Sequence, residues 1–82
     1  MKVIILSKSA SKYLAKQDKK TTDRIIASIN GLLKNPMQGD IESIQGEKAK
    51  MRLRVGSYRV LFYVKGDIIE VMDIGPRGDV YK

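Results

Sequence analysis

The chain has 82 residues, sixteen of them Lys or Arg and nine Asp or Glu, and a net charge of +7. That length suits one domain, expected over residues 1–82, with a single core, because a chain so short buries only about 60–65% of its unfolded surface. With no Cys and no His, disulfides, thiolate metal sites and the usual general base are excluded, so no cofactor is expected and any catalysis would rely on Lys, Arg, Tyr, Ser, Asp or Glu.

Lys2 to Ser7 reads as a short buried strand, with Val3, Ile4, Ile5 and Leu6 in succession. This apolar run is far below the ~20 residues that span a bilayer. One preceding Lys and no small-residue cleavage site also exclude a signal peptide. No membrane partner is expected, and the cysteine-free composition suits the cytoplasm. Ser7 or Ser9 then caps a helix with Ala10, Tyr13 and Leu14 on one face. Gln17-Asp18-Lys19-Lys20 breaks the stripe and holds a turn. Ile25, Ile26, Ile29, Leu32 and Leu33 form the broad stripe of a second helix, which Asn35-Pro36 ends. The short link favours a helical hairpin.

Residues 36–48 contain Pro36, Gly39 and Gly46 without a clear period and read as a loop. Beyond it the period becomes two. Met51, Leu53 and Val55 alternate with Lys50, Arg52 and Arg54. Gly56-Ser57 is a turn with Gly first, as a type II′ hairpin requires, and Tyr58 to Val64 returns as the partner strand. Gly66-Asp67 repeats the turn before a third strand, Ile68 to Ile74, and the Gly- and Pro-containing stretch from Gly75 to Lys82 reads as irregular.

The turn sets the register. Val55 faces Tyr58, Arg54 faces Arg59, Leu53 faces Val60, Arg52 faces Leu61, Met51 faces Phe62 and Lys50 faces Tyr63. Directly paired side chains share a face. One face therefore carries Met51, Leu53, Val55, Tyr58, Val60 and Phe62 for the helices to cover. The other carries Lys50, Arg52, Arg54, Arg59, Leu61 and Tyr63. Arg54 directly opposite Arg59 opposes like charges at a cost of up to about 1 kcal/mol. A face that bears this cost is suited to a polyanion, with phosphates on the cations and bases on Tyr63. The plainer reading is a solvated sheet face screened by Glu70, opposite Tyr63.

Charge is also uneven along the chain. Residues 1–20 carry six Lys against Asp18, a net of +5; residues 21–49 carry three basic and four acidic groups, a net of −1; residues 50–82 carry seven and four, a net of +3. Lys8, Lys12, Lys16, Lys19 and Lys20 follow helical spacing, which fits a solvated helix face or, at Lys8 and Lys12, a wider electrostatic funnel for RNA.

The run Met51-Arg52-Leu53-Arg54-Val55-Gly56-Ser57-Tyr58-Arg59-Val60-Leu61-Phe62-Tyr63 resembles the central strands of the RelE/ParE superfamily of type II toxin–antitoxin toxins. Gly46 resembles the Gly that precedes those strands, and Ile74-Gly75-Pro76-Arg77-Gly78-Asp79-Val80-Tyr81 resembles the closing motif. The resemblance implies an α+β domain of order βααβββ, a helical hairpin on one face of a mainly antiparallel sheet. It also implies a ribosome-dependent endoribonuclease that cleaves mRNA in the A site by attack of the ribose 2′-hydroxyl on the adjacent phosphate. The implied partners are the ribosome, mRNA and an acidic, partly disordered antitoxin.

By position, Lys50 and Arg52 match the family's basic pair, Arg54 the next outward residue, Arg59 the Arg of the Tyr-Arg pair, Arg77 the closing Arg and Tyr81 the closing Tyr. Always-charged Arg59 and Arg77 suit phosphate and transition-state charge. Lys50 and Tyr81 are then the proton-transfer candidates, since neighbouring Arg charges disfavour an ammonium and favour a phenolate. The plainer reading of Tyr81 is a tail residue packed on the sheet. Pro76 stands where many relatives carry His or Lys, and a chain that stops one residue after Tyr81 is expected to have no carboxy-terminal helix. ParE-like members, which inhibit DNA gyrase, share the fold but lack the full catalytic set; a non-catalytic RNA-binding module is a third reading.

Overall fold

The computed structural model describes residues 2–44, 46 and 49–76. In chain order these form β1 (Val3–Leu6), α1 (Lys8–Ala15), α2 (Lys19–Asn30), a 3₁₀ turn (Gly31–Leu33), β2 (Asp40–Ser43), β3 (Lys50–Val55), β4 (Tyr58–Lys65) and β5 (Ile68–Pro76). The five strands make one sheet in the order β1-β5-β4-β3-β2, in which only the β1–β5 pair is parallel.

Both helices start on side-chain caps. The Ser7 hydroxyl accepts a hydrogen bond from the Ala10 N–H and donates its own to the Met72 carbonyl of β5, so one residue caps α1 and anchors it to the sheet. Asp18 caps α2 by accepting from the Thr21 N–H at 3.2 Å. Between the helices, the Thr22 hydroxyl and the Gln17 N–H both donate to the Leu14 carbonyl, at 3.0 and 3.2 Å. This accounts for orphan acceptors that a helix end otherwise leaves to water.

Ala10, Leu14, Ile25, Ile29 and Leu32 meet Leu53, Val55, Val60, Phe62, Ile69, Val71 and Ile74 in the core. Tyr13 packs against this core, edge-on to Tyr58 with ring centroids 6.5 Å apart. The stripe on the second helix is narrower than its sequence suggests: Ile26 and Leu33 are exposed, because the sheet covers only the strip through Ile25, Ile29 and Leu32.

The β3–β4 register is the expected one at all six rungs from Lys50↔Tyr63 to Val55↔Tyr58. Gly56 and Gly66 each have φ of +57° at the first central position of their turns, where a type II′ turn requires a left-handed backbone. Three expectations are corrected. The first strand, expected to be buried, lies at the sheet edge with Val3, Ile5 and Leu6 exposed. The segment read as a loop over residues 36–48 holds β2, whose four residues pair antiparallel with β3 and add an edge strand to the βααβββ order. Four residues were too few to establish a period next to Pro36 and Gly39. β5 also runs two residues beyond Ile74, since Gly75 and Pro76 pair with Arg59 and Tyr58. A proline is tolerated at a strand end, where no further ladder bond is needed.

Candidate nucleic-acid interface

Strand alternation decides which side chains can form a site. Leu53, Val55, Val60 and Phe62 enter the core beneath the helices, so the intervening Arg52, Arg54, Arg59 and Leu61 stand on the opposite face of the sheet, open in that neither α1 nor α2 covers it, although Arg52 and Leu61 are themselves buried there. Three rows cross that face. The first runs Asp40–Arg54–Arg59–Gly75, the second Glu42–Arg52–Leu61–Asp73, and the third Lys50–Tyr63–Glu70–Ile5.

The structure thus brings Lys50, Arg52, Arg54, Arg59 and Tyr63 together. It does not bring Lys8 and Lys12 to them. Those residues lie exposed on α1, in the layer on the far side of the sheet. Arg77 and Tyr81 lie outside the described residues.

The open face is less uniformly cationic than the hairpin alone suggests, because β2 lines its margin with two carboxylates. Glu42 Oε1 lies 3.0 Å from Arg52 Nη2, and Asp40 Oδ2 lies 3.8 Å from Arg54 Nε. The first is an ion pair at hydrogen-bond distance; the second is long for a hydrogen bond and is an electrostatic contact. Burial separates the partners. The side chains of Arg52 and Arg54 are 4% and 32% exposed, those of Glu42 and Asp40 68% and 58%. A guanidinium as enclosed as Arg52 requires a counter-charge, and Glu42 supplies one.

At the third row, Tyr63 lies within reach of two ammonium groups. Lys50 Nζ lies 5.8 Å and Lys65 Nζ 5.7 Å from its ring centroid, within cation–π range. Lys65 also reaches Glu70 at 3.3 Å. Glu70 therefore answers Lys65, which belongs to β4, while Arg54 and Arg52 are approached by Asp40 and Glu42. Those two were missed in the sequence reading. Their signal was the alternation Asp40-Ile41-Glu42, which matches the two-residue spacing of Arg52 and Arg54 on the facing strand.

Chemically, the face offers always-charged planar donors in a fixed array, with Lys50 and Lys65 beside Tyr63 at its edge. Guanidiniums on adjacent strands suit phosphate oxygens, which they bind in a fork geometry.

Comparison with known proteins agrees with this architecture. No curated protein sequence matches the chain. The archaeal RelE–RelB complex from Pyrococcus horikoshii OT3 contains a chain that superposes with a TM-score of 0.80 at 24% identity, covering 95% of this chain and 97% of that one. A chain of the RelB–RelE antitoxin–toxin complex from Methanococcus jannaschii matches at 0.76 and 26% identity, over 94% of each. In the E. coli DinJ–YafQ complex the match is 0.78 at 14% identity over 100% of both chains. Residues 4–81 match the family model described as the ParE toxin of the type II toxin–antitoxin system parDE. With nearly its whole length inside that model and its five-stranded sheet laid out as in the RelE structures, the chain belongs to the RelE/ParE superfamily of type II toxins.

Proposed function

We propose that the protein is a ribosome-dependent endoribonuclease that cleaves mRNA in the A site, and that it is held inactive by an acidic cognate antitoxin. The observation that carries this reading is the array of Lys50, Arg54 and Arg59 on the open face, flanked by Tyr63. The reaction needs a base to take the proton of the 2′-hydroxyl as its oxygen attacks the adjacent phosphorus. It needs cations to hold the charged phosphorane, and an acid to protonate the 5′-oxygen as the P–O bond breaks. Lys50 and Tyr81 are assigned to proton transfer, Arg59 and Arg77 to the phosphorane, and Arg52 and Arg54 to the surrounding positive field. A protein without histidine can run this reaction because each role is met by Lys, Arg or Tyr.

The test is mapping of mRNA 5′ ends after induction, beside the same cells carrying Arg59→Ala/Arg77→Ala. Cuts at A-site codons that vanish in the double variant are expected. Cuts that persist in it would overturn the assignment of roles. The ParE description of the family model supports a second reading, inhibition of DNA gyrase. Loss of supercoiling by purified gyrase, with mRNA left intact, would select that reading.

A further inference from the structure

Between Lys8 and Arg24 the chain carries six cations and two acids. Both acids are engaged locally: Asp18 caps α2, and Asp23 pairs with Lys19 at 2.7 Å. Lys8, Lys12, Lys16, Lys20 and Arg24 are exposed, and their side chains make no hydrogen bond or ion pair among the described residues. Lys8, Lys12 and Lys16 recur every four residues, as do Lys20 and Arg24, so each has a like charge one turn away, an unfavourable arrangement. Lys8 and Lys20 also occupy first turns that hold no acid, at the positive end of each helix dipole. Arg24 reaches the β3–β4 turn, where its guanidinium fills the space a side chain at Gly56 would need; a Cβ there would lie 2.7 Å from Nη2.

The composition of this ridge selects its partner. With Ala10, Tyr13 and Leu14 packed on the core, the outer side of α1 offers its lysines, Ser11 and Ala15. Lys, Ser and Ala are depleted at protein interfaces, which need an apolar centre. The exposed aliphatics lie elsewhere: Val3, Ile5 and Ile68 on the sheet, and Ile26 about 160° around α2 from Arg24. An ammonium is a compact point charge that meets a phosphate oxygen in many orientations. Such contacts hold a nucleic-acid backbone without reading its sequence.

We propose that the outer side of the helical hairpin is a second RNA surface, which takes the phosphates of a folded, double-helical RNA by charge and shape. This rests on the reading of the protein as an RNA-cleaving toxin. The sheet stands between this ridge and the face assigned to the single strand, and the shortest Cα extent of the molecule is 22 Å. A short strand laid on the sheet therefore does not reach the ridge, and a separate RNA segment does. The ridge supplies docking, and the sheet receives the strand to be cut.

The experiment measures anisotropy of two fluorescent RNAs across salt, a hairpin of about 20 base pairs and a single-stranded RNA 12-mer. It uses the full-length wild type, Lys12→Gln/Lys20→Gln, which removes one ridge charge from each helix, and the control Lys34→Gln, an exposed lysine beyond the 3₁₀ turn. Loss of two phosphate contacts makes the slope of log K against log salt for the hairpin shallower by about 1.4–1.8. The deficit of the double variant is therefore largest at low salt and shrinks roughly tenfold between about 50 and 200 mM. Its binding of the 12-mer, and the binding of both RNAs by the control, are expected to stay within about twofold of wild type. Equal losses for the two RNAs would reduce the effect to net charge and overturn the second surface. Hairpin binding unchanged by the double substitution would overturn it too. Polyglutamate, as a third probe, stands for an acidic protein; a loss confined to it would assign the ridge to such a partner instead. Relief of like-charge repulsion predicts no fall in the melting midpoint, and Lys16→Gln/Arg24→Gln repeats the test at neighbouring positions. The two readings fail separately. Hairpin binding through the ridge, with mRNA left uncut in induced cells, sinks the nuclease reading and leaves the ridge. Cuts at A-site codons, with hairpin binding insensitive to both ridge variants, do the reverse.

Discussion

Arg54 and Arg59 face each other directly across the β3–β4 hairpin, two guanidinium side chains on one rung of the open face. Like charges so placed repel, at a few tenths to about 1 kcal/mol. Asp40, the next residue on that row, lies 3.8 Å from Arg54 Nε. The rung therefore concentrates positive charge on one side of the hairpin.

That concentration makes Arg59→Ala an informative substitution. Its thermal midpoint is expected to shift little, because the repulsion relieved offsets the loss of Arg59's own contact. Cleavage on programmed ribosomes is expected to fall by about 10²–10³, the usual loss when a donor to a developing oxyanion is removed. Single-turnover cleavage beside a melting curve separates the effects. A midpoint that falls together with activity would show that Arg59 is needed for the fold.

RNA binding should weaken steeply with salt. We expect three half-buried cations, Lys50, Arg54 and Arg59, to neutralise one phosphate each. A single strand contributes a slope of about −0.7 per phosphate, so log K against log salt is expected to run at roughly −2. A titration of the RNA 12-mer across salt measures this, and a slope near zero would remove the basic face from the binding site.

Ser7 joins two elements, so its loss should exceed that of an ordinary surface serine. Ser7→Ala removes both the α1 cap and the bond to Met72 and is expected to cost about 1–2 kcal/mol, the upper part of the range for lost caps. Ser9→Ala, which removes only an exposed bond to Asp73, should stay within about 0.5 kcal/mol. Urea denaturation of the two variants makes the comparison.

The Asp18 cap links α2 to acid stability. Hydrogen bonds from the Thr21 side chain and backbone N–H hold its carboxyl below the ordinary aspartate range when folded. A depressed folded value means that the unfolded chain takes up the proton first. The stabilisation is present above the unfolded value, about 3.9, and is lost as pH falls through the folded one. Asp18→Asn still caps but does not titrate. The urea midpoint of the wild type should exceed that of the variant at pH 7 and converge on it below about pH 4. A constant difference down to pH 2 would contradict the role of Asp18.

Much of this protein was legible before its structure. The β3–β4 register followed from two local facts, a period of two from Lys50 to Val55 and a Gly-first turn at Gly56, and neither depends on the rest of the chain. A serine cap at Ser7 or Ser9, the core stripe through Ile25, Ile29 and Leu32, and the grouping of four cations on one face were legible for the same reason: helix and strand geometry fix them within a few residues. Tertiary structure decided what meets that face. β2 is too short to declare itself, and only its docking on β3 sets Glu42 against Arg52. Lys8 and Lys12 carry the same sign as the arginines, yet packing of α1 beneath the sheet puts them on the other side. The +7 total was readable from the chain alone. Its division into a lysine-bearing helical layer and an arginine face edged by two carboxylates was not, because charges far apart in sequence become neighbours, or are separated, only when the core chooses which surfaces to bury.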